Sequence, residues 1–247
     1  MGNHAYPQYA SLVRAWRAAS ERSDMSNKRI TLLGGALLFC SAWNAHAESG
    51  LSYNIEALTN YVFRGISQSD NHPALQGGVD YKDAGGLYGG LWATTQDIPN
   101  TRSDVRGDAY GGFAYQASNG FGFDIGGRAY SNAFVFPGQK RDFFWELYGA
   151  LGFGPFSAKL SHDFDNKDTY AEAALLFALG SGINLDLHAG YYFIKSDDLG
   201  DDYADFSAAI SKMFGKLDAK LGVTDTTQDP SSKVNDTTVF VSLKYLF

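Results

Sequence analysis

His72, His162 and His188 are the histidines left once the first 47 residues are set aside, and they bound the acid–base chemistry open to this chain. A Ser161–His188–Asp186 relay can be drawn from residue types alone, because a serine nucleophile needs an imidazole base and a carboxylate to orient it. No nucleophile motif surrounds Ser161, however, and nothing in the spacing makes the three converge. Asp197-Asp198 and Asp201-Asp202 offer the hard oxygens that Ca²⁺ takes, but their spacing fits no EF-hand loop and the run reads as a solvated acidic stretch. No Walker loop, dinucleotide fingerprint, His-x-x-x-His pair or zinc spacing occurs. The expectation is a non-enzyme with no catalytic residue, cofactor or metal.

The remaining charged residues follow a pattern of a different kind. Glu56, Asp80, Asp108, Asp124, Arg128, Glu146, Lys159, Asp163, Glu172, Asp186, His188, Lys220 and Lys244 each sit opposite an apolar set with a period of two. Side chains of a strand alternate between its faces, so this parity sends every one of them to one side of a sheet and the apolar residues to the other. Phe143, Trp145, Leu147, Leu151 and Phe153 oppose Glu146; Ile183, Leu185, Leu187, Ala189 and Phe193 oppose Asp186 and His188. In a closed sheet immersed in lipid, the charged side would be an aqueous interior, which makes these thirteen residues candidates for a pore lining. His162 falls on the lipid parity. Lys212 does too, close to a tight turn, from which its ammonium could reach the headgroups.

Period-2 segments cover the chain near 51–62, 73–82, 86–95, 106–117, 120–130, 143–153, 156–164, 169–179, 183–195, 203–213, 217–225 and 237–247, and no helical period competes with them. Short links such as Ser118-Asn119, Gly154-Pro155 and Gly180-Ser181-Gly182 alternate with longer polar ones. The pattern predicts an all-β fold: an antiparallel up-and-down transmembrane β-barrel of about 12 strands, with short turns at one end and loops at the other. Ten strands remain an alternative if the first two form an outer hairpin or plug. Tyr61, Phe63, Tyr81, Tyr115, Phe121, Phe143, Phe153, Phe156, Phe214 and Tyr245 lie near strand ends and are expected in two interfacial girdles. Glycines within strands, among them Gly77, Gly111, Gly112, Gly126 and Gly127, allow close strand contacts.

Lys28 and Arg29, an apolar stretch from Ile30 to Ala42 and the Ala45-His46-Ala47 site mark 25–47 as a secretory signal peptide, with translation starting at Met25 and 1–24 an upstream extension. Cleavage leaves 48–247, a 200-residue domain without cysteine, since the chain's one Cys is Cys40; Phe39 before it argues against a lipoprotein box. Five basic and two acidic residues leave with the leader, so the domain's formal charge is −10, a poor partner for nucleic acid. At a mean hydropathy of −0.23, no apolar run spans a bilayer as a helix.

Two resemblances add to this reading. The final strand, with Leu243, Tyr245 and the terminal Phe247 on one face, resembles the C-terminal assembly signal of outer-membrane barrels. The run Tyr61-Val62-Phe63-Arg64-Gly65-Ile66-Ser67-Gln68-Ser69, with Gln76-Gly77-Gly78, Asp80-Tyr81, Gly90 and Trp92, resembles the TorF-type porins, the Gcw_chp proteins of proteobacteria. The resemblance implies a bacterial outer-membrane barrel and a channel, and brings no catalytic residues. Expected partners are outer-membrane lipid, lipopolysaccharide, the barrel-assembly machinery and small solutes. The leading function is passive diffusion of small polar solutes, mildly favouring cations because the inward set holds eight acidic and four basic residues. A non-conducting structural or recognition barrel is the alternative, ahead of a lipid-acting enzyme.

Overall fold

A computed structural model describes residues 49–97, 105–131, 143–195, 201–228 and 232–247. The upstream extension 1–24, the signal peptide assigned to 25–47 and the pair Asp197-Asp198 lie outside the described residues. The strands run β1 Gly50–Leu58, β2 Val62–Phe63, β3 Ile66–Ser67, β4 Ala74–Lys82, β5 Leu87–Thr95, β6 Val105–Gln116, β7 Phe121–Ser131, β8 Phe143–Phe153, β9 Phe156–Asp163, β10 Thr169–Gly180, β11 Ile183–Phe193, β12 Tyr203–Phe214, β13 Leu217–Thr226 and β14 Thr238–Leu246. All but β2 and β3 join in one closed barrel of twelve strands, each paired antiparallel with its neighbours, and β14 returns to β1. Closure leaves no unpaired edge, the condition for a sheet in a medium that cannot hydrogen-bond its backbone.

The parity holds around the wall. Leu91, Ile125, Leu147, Leu160, Leu221 and Leu243 are among the large apolar side chains exposed on the outside, while Asp108, Asp124, Glu146, Asp163 and Lys244 are buried within. Phe121, Phe153, Phe156, Phe214 and Tyr245 are exposed near strand ends, as a girdle requires; of Phe143 the backbone alone is described. Lys212 is exposed, with its ammonium 5.2 Å from the centre of the Phe214 ring.

Two expectations need correction. The first strand ends at Leu58 rather than 62, and Tyr61 and Phe63 are not girdle residues: Tyr61 is 4% exposed and Phe63 lies among arginines inside the barrel. Period-2 reading carried the strand too far because Tyr61-Val62-Phe63 keeps alternating, although the segment belongs to a short hairpin. The ten-strand alternative also falls, since β1 and β4 are both wall strands and the chain between them is what turns inward.

One packing device recurs on the inner face. Tyr88 of β5 is paired with Gly112 of β6, Tyr110 of β6 with Gly90 of β5, and Tyr148 of β8 with Gly126 of β7. Each tyrosine lies over the glycine of the adjacent strand, where a Cβ would collide with the ring. Tyr88 thereby crosses β6 and donates to Asp124 of β7 at 2.7 Å, and Tyr110 crosses β5 to Asp80 of β4. These glycines are seats for rings that tie together strands not themselves neighbours, a more specific role than general closeness of strands.

Candidate functional site

The chain between β1 and β4 emerges at the end of the barrel that carries the longer links and folds back into the interior. Its core is the β2–β3 hairpin, whose turn residues Arg64 and Gly65 have φ of 49° and 79°. Positive φ at both central positions is the primed turn that fits strand twist, and glycine supplies the second at no steric cost. Asn60 braces the base: its side-chain amide donates to Asn71 Oδ1 at 2.6 Å, and its own Oδ1 accepts from Ser67 Oγ at 2.7 Å. Tyr61 N–H donates to Ser69 Oγ at 2.9 Å. A short polar run therefore closes on itself and presents Phe63 and Arg64 at its tip.

The tip meets the far wall. Arg64 pairs with Glu146 of β8, its carbonyl accepts from Tyr203 Oη of β12 at 3.0 Å, and its guanidinium carbon lies 4.4 Å from the Tyr170 ring centre and 4.9 Å from that of Tyr192. Burial opposes the Arg64 charge most strongly of all single causes, but Glu146 together with Tyr192 and Tyr130 outweighs it and raises the guanidinium pKa above the ordinary arginine value. Phe63 receives Arg106 at 4.5 Å and Arg128 at 5.4 Å from its ring centre. Arg106 grips Asp108 through two bonds of 2.9 and 3.1 Å, and Arg128 bridges Glu146 at 3.2 Å and Asp108 at 3.6 Å. Three arginines against two carboxylates, wrapped around one phenyl ring, form a charged and aromatic cluster inside the barrel.

Beneath it lies a cavity of about 150 Å³. Lys159 and Glu172 pair at 2.8 Å, and His188 contacts Glu172 at 3.2 Å and Asp205 at 3.5 Å. Lys220 stands 3.6 Å from Asp186, and Lys244 the same distance from Glu56. Asp163 accepts from Tyr130 at 2.9 Å and Asp205 from Tyr170 at 2.8 Å.

Of the thirteen residues picked out by parity, Glu56, Asp108, Arg128, Lys159, Glu172, His188 and Lys220 line this cavity, while Asp80, Asp124, Glu146, Asp163, Asp186 and Lys244 stand on the same inner parity outside its lining. The structure adds Arg106, Asp205 and Asp218, which share the parity of Asp108, Ser207 and Lys220 and could have been found by extending the same rule along their strands. It also adds Arg64, Tyr61 and Phe63, which parity could not find because they do not stand on the wall. The Ser161–His188–Asp186 relay is not assembled: Ser161 Oγ, buried, has no hydrogen-bond partner among the described residues, His188 is held by Glu172 and Asp205, and Asp186 faces Lys220. His162 stays on the outer parity, bonded to Thr169 at 2.9 Å. At the rim, Asp70, His72 and Asp97 gather their side chains, with His72 Nδ1 3.5 Å from Asp97.

The fold is thus a closed twelve-stranded barrel with an apolar outside, a charged inside and an inward hairpin. The chain belongs to the family described as "Bacterial protein of unknown function (Gcw_chp)", which matches residues 43–247. No curated protein matches the sequence. Among solved structures the fold is similar to the KdgM porin (TM-score 0.54, 9% identity, covering 80% of this chain and 98% of that one) and to the NanC porin (0.54, 8%, with the same coverage). A structure of the KdgM porin in complex with disordered oligogalacturonate is similar at a TM-score of 0.51 and 10% identity, again covering 80% of this chain and 98% of that one. At such identities the likeness concerns the fold.

Proposed function

We propose that the protein is a narrow outer-membrane channel through which small polar solutes diffuse, with the β1–β4 hairpin as its constriction. The observation that carries this reading is the interior itself, a cavity walled by charged pairs inside a cylinder whose outside is apolar. A barrel needing stability alone would fill that space with apolar side chains, since replacing buried ion pairs by well-packed hydrophobic residues is often neutral or stabilising. The porin-like fold supports the same reading, as does the complex of one similar porin, KdgM, with disordered oligogalacturonate. The leader at 25–47 would direct export, and the strand ending in Leu243, Tyr245 and Phe247 would be read by the barrel-assembly machinery before the apolar face enters lipid and lipopolysaccharide. Planar-bilayer recordings test the reading: discrete conductance steps support it, and their absence from correctly folded protein refutes it.

The preference for cations is kept, on narrower grounds than a tally of signs. Most inward carboxylates have a basic partner. Asp80 and Asp124, near the end with the short turns, instead take hydrogen bonds from the tyrosines Tyr110 and Tyr88, with Lys244 acting on the first and Lys159 and Lys82 on the second from a distance. Asp80→Asn combined with Asp124→Asn is expected to move the reversal potential in a KCl gradient toward anion selectivity. An unchanged reversal potential would remove these two residues from the selectivity account.

A further inference from the structure

The arm that leaves the hairpin and returns to the wall carries chemistry that a channel does not use. Asp70 and His72 lie on it, between β3 and the start of β4, and Asp97 lies just past the end of β5. Their ligating atoms, one carboxylate oxygen from each aspartate and an imidazole nitrogen, all fall within 4.8 Å of one another. His72 Nδ1 stands 3.5 Å from Asp97 Oδ2. That is longer than a good hydrogen bond and near the ~3.3 Å between two ligands of a tetrahedral ion whose bonds are about 2.0–2.1 Å. The side chains of His72 and Asp97 are 64% and 67% exposed, so an ion reaches them from water without any opening of the protein. Backbone bonds hold the two segments together: Asp97 N–H donates to the Gln68 carbonyl at 2.9 Å, and His72 N–H to that of Ser69 at 2.8 Å.

From this juxtaposition we infer that Asp70, His72 and Asp97 form a binding site for a divalent transition-metal ion of the Zn²⁺ class at the rim of the barrel. Imidazole selects Zn²⁺ and its late first-row neighbours over Mg²⁺ and Ca²⁺, which take oxygen ligands. Two carboxylates and a neutral imidazole cancel the charge of the ion, and three protein ligands leave a fourth position to water. Because the donors stand on exposed side chains, rotation about their own bonds is enough to close them on an ion. A bound ion ties the returning arm of the hairpin to the end of β5, beside the hydrogen bond from Asp97 to Gln68. The site goes beyond the channel reading and does not depend on it.

The test is competition for Zn²⁺ between a chromophoric chelator and the purified full-length protein in detergent, free of any histidine tag, with Mg²⁺ and Ca²⁺ as comparison ions. One saturable Zn²⁺ site per chain is expected, with Mg²⁺ and Ca²⁺ bound more weakly. His72→Ala should weaken Zn²⁺ binding by about a hundredfold, the upper end of what losing even an outer-shell partner of a metal costs. Asp97→Asn should weaken it less steeply, because the amide keeps an oxygen donor and loses the charge. His162→Ala, on the outer wall, should bind Zn²⁺ as wild type does. Heat-modifiable migration like that of wild type shows that each variant folds. No competition for Zn²⁺, an unchanged affinity in folded His72→Ala, an affinity lost in folded His162→Ala, or Ca²⁺ bound as tightly as Zn²⁺ would each overturn the inference. None of these readouts is a current, so a failed metal site leaves the channel reading standing, and a silent bilayer leaves the metal site standing.

Discussion

Arg64→Ala is expected to raise single-channel conductance about twofold and to add flicker between levels, because it frees the hairpin tip from the far wall while leaving the barrel intact. The wall survives for a reason that can be read from the pairing. Removing one partner of a buried ion pair is costly when the other is left alone, at about 3 to 5 kcal/mol. Here Glu146 keeps Arg128 at 3.2 Å, so the loss falls on the seat of the hairpin rather than on β8. Arg64→Lys should give an intermediate result, since an ammonium restores the charge toward Glu146 but not the guanidinium's position over the Tyr170 and Tyr192 rings. Gly65→Ala approaches the same point from the backbone. A Cβ there would meet Asp205 Cβ at 2.5 Å, on a residue whose φ of 79° is already unfavourable for a side chain, so the hairpin would lift from β12. If both Arg64→Ala and Gly65→Ala conduct as wild type does, the hairpin is not the constriction.

The second large effect concerns the wall. Gly90→Ala is expected to destabilise the barrel by about 1 to 3 kcal/mol, the range for overfilling a packed site, because the new methyl displaces Tyr110 from its seat and from Asp80. The three atoms nearest to a Cβ at Gly90 all belong to the Tyr110 side chain. Trimming that side chain with Tyr110→Ser in the same molecule should therefore recover most of the steric cost. Gly112→Ala behaves differently. Its Cβ meets the Ile125 carbonyl oxygen at 2.5 Å as well as Tyr88 Oη at 2.5 Å, so Tyr88→Ser should recover little. The midpoint of the heat-modified band on gels, measured for the two single and two double variants, decides this. Equal rescue at both sites would show that the glycines matter for reasons other than the rings laid over them.

How much of this could be read from the residues depends on which rule governed them. Strand parity is dictated by geometry at every position, so Glu146 inside and Leu147 outside follow from the chain alone, and the same holds for Lys244 and Leu243. The device joining Tyr88, Gly112 and Asp124 was out of reach, because it depends on register across three strands and a one-residue slip would break it. The hairpin tip was missed for another reason. Alternation in Tyr61-Val62-Phe63 is genuine, but it belongs to a two-residue strand whose partner is Ile66–Ser67. The clue lay beside it: Arg64-Gly65 is a hairpin turn flanked by Asn60, Ser67 and Ser69, residues that cap and close loops.

Solvent access to neighbouring positions tests the central claim most directly. In a Cys40→Ser background, which leaves no cysteine in the chain, Ser242→Cys and Leu243→Cys differ by one residue on β14, one lining the cavity and the other exposed outside. A charged, membrane-impermeant thiol reagent applied during bilayer recording should react at 242 and reduce the current, and should leave the 243 variant unmodified with its current unchanged. Modification at 243 with none at 242 would contradict the account.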